Sequence, residues 1–395
     1  MNILRKQFLA HVGQTSPSPM MIEVERSEGV YFYTPENKAY FDLISGVSVS
    51  NVGHSNPCVT QAVKDQVDKY MHIMVYGEMI EAPQVQYAKM ICDAMPEGLD
   101  SVYFASAGGE SIDIALKLAK RVTSRTEIIS CLNAYHGSTH GALSVMGGEE
   151  YKTSFRPLLP DVRQIRYNNF EDLELITSRT ACFLVEPVQG EAGVVLPAKG
   201  YLEAARERCD KTGTLLIFDE VQMGFGRTGA MFACQKFSIT PDVIVLAKAL
   251  GGGMPLGAVV SSRERLNKFT SDPVLGHIST FGGHPVCCAA GMASMKYIMD
   301  NNLLENAEAM GAKFESLLKN HSRVKEIRRV GLLLAVELGS SDKMFAMMEM
   351  FAGRGILSDW FLFCDTAFRI SPPLIISKDE VEACCEIILA CLDDL

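Results

Sequence analysis

The feature that most constrains the fold is a regular alternation of strand and helix patterns between about residues 99 and 261. Helices are predicted over 110–122 and 201–212. Strands are predicted over 101–105, 127–131, 182–186, 215–219, 243–247 and 258–261. Because strands that alternate with helices form parallel sheets with helices on both faces, the pattern predicts an α/β fold.

The two ends of the chain have a different pattern, which predicts a second, smaller α+β layer. The first 45 residues are extended and turn-rich, whereas helices dominate from about Pro285 onward. The elements predicted there are strands near 23–25, 30–33, 332–338 and 368–371 and a final helix over 378–392. We therefore expect a small domain built from residues 1–48 and 285–395, and a large domain over 49–284.

Composition excludes several classes of function. The chain has 395 residues, enough for two domains with sizeable cores, and its net charge of −10 argues against nucleic acid or an anionic membrane as partner. It has no apolar run long enough to span a bilayer and no signal-peptide pattern, so a cytoplasmic protein is expected. The twelve cysteines lack disulfide or metal-site spacing, which predicts free thiols in a reducing compartment and no metal site.

A lysine and an aspartate stand at the ends of two predicted strands. Lys248 lies between strand 243–247 and a run of glycines, and Asp219 ends strand 215–219. A lysine among apolar residues is dehydrated, which lowers its pKa and frees the amine to attack a carbonyl. A carboxylate at a strand end can keep a ring nitrogen protonated. These are the two groups that a protein must supply to pyridoxal 5′-phosphate, which the sequence therefore predicts as cofactor.

Other candidate residues follow neighbouring strands, where ligands bind in sheets of this type. Gly108 and Gly109 precede a helix, so their N–H groups suit a phosphate. Tyr135 can stack on a flat heterocycle, and Gln222 can donate to a ring oxygen. Residues 224–229 match G-x-G-x-x-G, but they neither follow their strand directly nor open a helix, which disfavours dinucleotide binding.

A series of short motifs runs along the chain in a characteristic order. They are Gly46–Pro57, Gly108–Glu110, Ala115–Ala119, Tyr135–Gly137, Glu186–Glu191, Phe218–Gln222, Gly224–Gly229, Leu246–Pro255, Ser279–Gly283 and Arg369–Pro373. In these residues, from about position 15 to the C-terminus, the chain resembles the class III aminotransferases of ω-amino acids. The resemblance implies the fold-type I architecture, in which a mostly parallel seven-stranded sheet lies between helices and a small α+β domain is added.

The resemblance also implies a role for each candidate residue. Lys248 would form the Schiff base with the cofactor, Asp219 would pair with its ring nitrogen and Gln222 with its ring oxygen. The backbone of Gly108 and Gly109 would hold the phosphate, and Tyr135 would stack on the ring. The remaining assignments are cofactor contacts for His136 and Glu186, the neighbouring subunit's phosphate for Thr280, a substrate α-carboxylate for Arg369, neutralisation of Arg369 for Glu191, and substrate contacts for Tyr76, Val47 and Ser138. A homodimer with shared active sites is implied by the role of Thr280.

Some positions depart from the family pattern. Ala107 replaces a hydroxyl residue before the phosphate glycines, and His284 replaces an asparagine. Ser138 stands where relatives carry an arginine for the distal carboxylate of the substrate, and Val47 stands where ornithine aminotransferases carry a tyrosine. Arg163, Arg166 and Lys152 are nearby cations that could replace the missing arginine.

The predicted function is transfer of an amino group from an acetylornithine-like or ornithine-like donor to a 2-oxo acid such as 2-oxoglutarate, by a ping-pong route. An aminomutase, a racemase or a decarboxylase on the same fold is the alternative. A non-catalytic protein is disfavoured, because no core catalytic residue of the family is missing.

Overall fold

The computed structural model describes residues 3–395. The strands are β1 (Arg26–Glu28), β2 (Tyr31–Tyr33), β3 (Ala39–Asp42), β4 (Ser101–Ala105), β5 (Glu127–Cys131), β6 (Val162–Ile165), β7 (Thr180–Val185), β8 (Leu215–Asp219), β9 (Val243–Leu246), β10 (Gly257–Ser261), β11 (Glu326–Val330), β12 (Leu333–Glu337), β13 (Ile356–Leu357), β14 (Trp360–Phe361) and β15 (Cys364–Ile370).

The α-helices surround these strands. They are α1 (Ile3–His11), α2 (Ser45–Ser48), α3 (Pro57–Lys69), α4 (Ala82–Asp93), α5 (Gly108–Thr123), α6 (His140–Val145), α7 (Tyr201–Thr212), α8 (Ala233–Phe237), α9 (Arg263–Leu266), α10 (Pro285–Asp300), α11 (Leu303–Leu318), α12 (Ser341–Arg354) and α13 (Lys378–Asp394). Short 3₁₀ turns lie at Thr153–Phe155, Glu171–Leu175, Lys248–Gly251 and Asn267–Phe269. No helix within residues 3–395 combines the length and apolarity needed to cross a membrane.

A seven-stranded sheet of order β4-β10-β9-β8-β7-β5-β6 forms the centre of the protein. Its pairs are parallel from β9 to β6, and β10 alone runs antiparallel to both of its neighbours. Alternate residues along a strand face opposite sides, so Ile217 packs in one hydrophobic cluster while Leu216 and Phe218 pack in another. Both faces are thus covered, and the predicted mostly parallel α/β sheet is confirmed.

Most central strands lie where the sequence predicts them, because their residues are apolar and buried on both faces. Three boundaries move by one or two residues: 182–186 is Thr180–Val185, 243–247 is Val243–Leu246, and 258–261 is Gly257–Ser261. Helix α5 begins at Gly108 rather than at residue 110, so both glycines predicted to bind the phosphate belong to its first turn. Strand β6 was not predicted, because it is an edge strand with only one fully buried residue and therefore has no apolar run.

Two smaller four-stranded sheets are built from the chain ends. The first has the order β1-β2-β3-β13, in which β3 pairs in parallel with β13, so the N-terminal and C-terminal segments share one sheet. The second has the order β11-β12-β15-β14. The strand predicted near 23–25 is β1 at Arg26–Glu28, and helix α1 replaces part of the segment expected to be extended. Helix α10 packs on α3 and α4. The boundaries of the two domains remain predictions.

Candidate active site

A cavity of about 800 Å³ opens at the carboxyl ends of the parallel strands. Its walls bring together most of the residues predicted from sequence, namely Gly108, Gly109, Tyr135, His136, Ser138, Glu186, Asp219, Gln222 and Lys248. They come from segments that follow β4, β5, β7, β8 and β9. Parallel strands end at one edge of a sheet, which explains how residues up to 140 positions apart in the chain meet here.

Lys248 opens the 3₁₀ turn that follows β9. Its backbone has a φ of +52°, a left-handed conformation that side chains other than glycine adopt with strain. Burial lowers the pKa of its ammonium group; Arg369 acts in the same direction, whereas Glu191, Asp219 and Glu186 oppose it. A strained, dehydrated lysine at a cavity wall is the arrangement that an amine nucleophile requires.

Asp219 ends β8 and is held by two donors. Its Oδ2 lies 2.7 Å from Nδ1 of the buried His136 ring, and its Oδ1 accepts from the N–H of Val221 at 3.0 Å. The second ring nitrogen of His136 is buried and has no protein partner within residues 3–395. The histidine predicted to touch the cofactor therefore orients the carboxylate at the cavity wall.

Glu186 connects two loops of the site. It accepts from the N–H of Tyr135 at 2.9 Å and from the N–H of Gly190 at 3.0 Å. Burial raises its pKa to about 7, and the nearby Asp219 acts in the same direction, while His136 opposes the shift. The carboxylate thereby fixes the position of Tyr135 and of the loop that leads to Glu191.

The first turn of α5 forms one end of the cavity. Its first internal backbone bond runs from the N–H of Ser111 to Ala107 at 3.0 Å, so the N–H groups of Gly108 and Gly109 are not used by the helix. A Cβ atom on Gly109 would lie 3.0 Å from Cγ2 of Thr139. A side chain at Gly109 would therefore crowd the loop that carries Thr139. The N–H groups at a helix N-terminus that the helix does not use suit an anion.

Gln222 offers an unsatisfied donor at the cavity wall. Its side chain is buried, and its Nε2 atom has no protein partner within residues 3–395. A Cβ atom on Gly190 would collide with its Oε1, so any other residue at position 190 would require the Gln222 side chain to shift. A buried donor without a partner indicates that a ligand atom completes the site.

Arg369 lies on β15 beside the cavity, with an acidic residue on each of two sides. Its Nη2 contacts the two carboxylate oxygens of Glu191 at 2.9 and 3.0 Å, and its Nε donates to Oδ1 of Asp359 at 2.8 Å. The guanidinium also lies 4.6 Å from the centre of the Phe361 ring. Asp359 was not predicted, because no motif marks it and only the β14–β15 pairing brings it beside Arg369.

Besides Arg369 and Glu191, which are not among the residues that line this cavity, three predicted residues lie outside it. Thr280 is exposed, and Tyr76 lines a separate groove of about 330 Å³ that also contains Ser279. Val47 belongs to α2, whose residues Ser45 to Ser48 all have positive φ and therefore form a left-handed turn rather than a regular α-helix. Val49 reaches the cavity instead. The contributions of these three residues to a site remain predictions.

Ser138 lines the cavity, whereas the three candidate replacement cations do not. The Ser138 hydroxyl lies 3.4 Å from the Tyr135 hydroxyl. Arg163 faces Glu127 at 3.8 Å, Arg166 pairs with Asp172 at 2.6 Å, and Lys152 lies 3.4 Å from Glu149. Each of these three candidate cations has an acidic neighbour away from the cavity.

His136 and His140 are four positions apart, a spacing that also suits two metal ligands on a helix. His136, however, precedes α6 and binds Asp219, while His140 is the first residue of that helix. Within residues 3–395 no group of three metal-ligating side chains is found.

The family model described as "Aminotransferase class-III" matches residues 12–392. The chain belongs to the class III aminotransferases. The acetylornithine aminotransferase of Methanopyrus kandleri is 38% identical and is matched over 90% of each chain. The ornithine aminotransferase of Bacillus subtilis is 36% identical, over 94% of this chain and 93% of its own. A transaminase structure from a marine Virgibacillus has a TM-score of 0.93 at 29% identity and covers 100% of this chain, which covers 99% of it.

These matches confirm a transaminase of fold-type I, from a family that depends on pyridoxal phosphate. The predicted architecture, with a mostly parallel seven-stranded sheet in the large domain, is confirmed as well. The geometry of this aminotransferase fits the cofactor. A dehydrated lysine, a carboxylate held at a strand end, free N–H groups at a helix start and an unpaired Gln222 donor all face one cavity.

Proposed function

We propose that this aminotransferase moves an amino group from an ω-amino acid or amine, of the acetylornithine or ornithine type, to a 2-oxo acid such as 2-oxoglutarate. The two substrates would use the same cavity in turn, in a ping-pong reaction. The observation that carries the proposal is the placement of Lys248 and Asp219 in one cavity with the first turn of α5.

Each residue at the wall would hold a different part of the cofactor. The N–H groups of Gly108 and Gly109 would bind the phosphate, and Tyr135 would cover one face of the ring. Asp219, held by His136, would stabilise a proton on the ring nitrogen, and Gln222 would donate to the ring oxygen. When bound, the cofactor supplies a ring that accepts electrons as a proton leaves the substrate carbon.

Lys248 would act on the substrate proton as well as on the cofactor. Because its pKa is lowered by burial, a larger fraction of its amine is neutral at a given pH. A neutral amine can remove a proton from the substrate carbon and would return it to the cofactor carbon on the other side of the transferred nitrogen, acting as a general base and then as a general acid.

Arg369 and Glu191 would form a switch between the two substrates. An α-carboxylate can replace Glu191 on the guanidinium through a charge-assisted, two-pronged contact. A donor that brings no carboxylate leaves Glu191 in place, so the buried Arg369 never loses its partner. The closed pair seen here corresponds to the second situation.

A homodimer with shared sites would complete the cavity. Thr280 is exposed on its own subunit, between the exposed apolar residues Ile278 and Phe281. That position leaves Thr280 available to the phosphate bound by a second copy of the chain, across a two-fold interface.

Chemical trapping tests the central assignment. Borohydride reduction of the yellow holoenzyme should attach the cofactor to one lysine, and peptide mapping should find it on Lys248. Lys248→Ala should retain the cofactor without a covalent bond and lose both half-reactions, whereas Lys236→Ala, at a partly exposed surface lysine, should retain them. An adduct on another lysine would refute the assignment.

The switch predicts an asymmetric effect of Arg369→Lys. Lysine keeps the charge but cannot make the two-pronged contact, so the half-reaction with a 2-oxo acid should slow more than the half-reaction with an amine. Single-turnover rates with 2-oxoglutarate, acetylornithine, 4-aminobutyrate and an uncharged amine measure both effects. Because Ser138 replaces the distal arginine, donors with a distal carboxylate should gain little, and a strong preference for acetylornithine would contradict this expectation.

A further inference from the structure

Arg369 has two acidic partners, and only Glu191 belongs to the proposed switch. Glu191 contacts Nη2, and Asp359 occupies Nε at 2.8 Å. The remaining nitrogen, Nη1, is buried and has no hydrogen-bond partner within residues 3–395. The guanidinium is therefore neutralised on two sides and keeps one polar edge without a protein partner.

Asp359 directly precedes β14 and is bonded to β15, the strand that carries Arg369. The backbone N–H of Arg369 donates to the carbonyl of Asp359 at 2.9 Å, and the hydroxyl of Ser358 donates to the carbonyl of Arg369 at 2.7 Å. Glu191 lies in the loop between β7 and α7, and it is joined to the β14–β15 turn by two hydrogen bonds, from the N–H of Leu362 to its Oε2 at 3.2 Å and from the N–H of Phe363 to its carbonyl at 2.9 Å. If the Glu191 side chain turns away from Arg369, Asp359 stays in place, because its backbone is hydrogen-bonded to that of Arg369.

This difference determines how a substrate carboxylate can approach. A carboxylate makes its strongest contact with a guanidinium through two neighbouring N–H groups. With Nε occupied by Asp359, the free pair after departure of Glu191 consists of Nη1 and Nη2. The bound state would then place two carboxylates, from the substrate and from Asp359, on one positive charge.

We propose that Asp359 is a fixed counter-ion that directs the substrate α-carboxylate to the Nη1–Nη2 edge of Arg369 and lowers the affinity for it. This inference rests on the proposed role of Arg369 as the α-carboxylate site. Asp359 acts through Arg369 and is a specificity-determining, positioning residue. Its effect falls on the 2-oxo acid and α-amino acid partners and leaves amine donors without an α-carboxylate largely untouched.

Protonation of Asp359 gives the proposal a pH signature. The charged groups that face this carboxylate are Arg369 on β15, Glu191 on the loop after β7, and Asp42 on β3. Burial raises the pKa of Asp359 to about 6; Glu191 and Asp42 act in the same direction, and Arg369 opposes them. As pH falls through that value, Asp359 becomes neutral and its repulsion of the substrate carboxylate disappears. Affinity for the carboxylate should therefore increase as pH falls.

The experiment compares Asp359→Asn with the wild-type holoenzyme by calorimetric titration of glutarate, a dicarboxylate that cannot react, between pH 5.5 and 8. Asparagine keeps an oxygen for Nε but removes the charge. We expect the variant to bind glutarate about tenfold more tightly at pH 8, as removal of a close like charge allows, with a smaller difference at pH 5.5. Asp359→Ala removes the orienting contact too and should bind less tightly than Asp359→Asn.

Two further measurements separate the possible outcomes. Asp365→Asn removes an exposed carboxylate from β15, the strand that carries Arg369, and should leave the glutarate affinity unchanged. Single-turnover kinetics of Asp359→Asn should show a lower dissociation constant for 2-oxoglutarate, and far less change with an uncharged amine. Unchanged or weaker glutarate binding by a folded Asp359→Asn variant overturns the inference, as does an equal gain in Asp365→Asn. If the wild-type enzyme converts no 2-oxo acid at all, the proposed function fails first.

Discussion

At the scale of single residues, the site depends on how side chains are held as well as on which side chains are present. Lys248, Asp219 and Gln222, which the sequence motifs single out, all line one cavity. The motifs did not reveal that His136 binds Asp219 or that Asp359 binds Arg369. His136 and Asp219 are 83 positions apart, and Asp359 meets Arg369 through the irregular pairing of β14 with β15. Neither contact leaves a pattern in the local sequence.

Removal of the Asp219 charge should be severe for catalysis and mild for folding. Asp219→Asn retains the shape of the side chain but no longer stabilises a proton on the cofactor ring. Turnover at saturating substrate should fall about a hundredfold or more, the range seen when one preorganised electrostatic group is lost. Asp210→Asn, at an exposed position on α7, is the matched control. Near-normal turnover of Asp219→Asn would show that the ring does not require this charge.

At the scale of elements, helix α8 begins on a buried carboxylate. Glu220 follows β8, and its two oxygens accept from the N–H groups of Ala233 and Cys234 at 2.5 and 2.7 Å. Burial raises the pKa of Glu220 to about 7, despite these two bonds. Between pH 4.5 and 7, therefore, Glu220 keeps its proton in the folded protein, whereas the unfolded chain, with an ordinary glutamate pKa near 4.5, has lost it.

This shift predicts a loss of stability with rising pH. Between pH 4.5 and 7 the folded protein binds more protons than the unfolded chain, so the free energy of unfolding falls as pH rises through that window. The contribution of Glu220 reaches at most about 3 kcal/mol. In Glu220→Gln the decline between pH 5 and 8 should be shallower, as measured by urea unfolding. Glu203→Gln, at an exposed position on α7, should keep the wild-type slope, and an unchanged slope in Glu220→Gln would contradict the expectation.

Elements also show where prediction from sequence stops. Strands such as β7 and β8 are buried along their whole length, so their apolar runs stand out in the sequence. Strand β6 has exposed and half-buried positions, and helix α1 has no buried residue at all. An element that buries little apolar surface needs few apolar residues, so its sequence shows no hydrophobic period from which a helix or a strand could be predicted.

At the scale of the whole molecule, the exposed apolar residues around Thr280 predict an association between copies. Phe281 is 56% exposed, and Ile278 is 50% exposed. Phe281→Asp should shift a dimer toward monomers in sedimentation velocity and lower turnover in parallel, because Thr280 would no longer reach a second cavity. Phe155→Asp, at a phenylalanine that is 55% exposed elsewhere, should change neither property. A monomeric Phe281→Asp variant with full activity would refute the shared site.

The pairing of β3 with β13 has a consequence for how the protein is made. Residues 39–42 leave the ribosome long before residues 356–357, yet the two strands are neighbours in one sheet. During synthesis the edge of β3 therefore stays unpaired while more than 300 further residues are added. An unpaired strand edge is a site where incomplete chains can associate wrongly, and a chaperone that covers it would protect the growing chain. The first sheet that the ribosome begins is among the last that the protein completes.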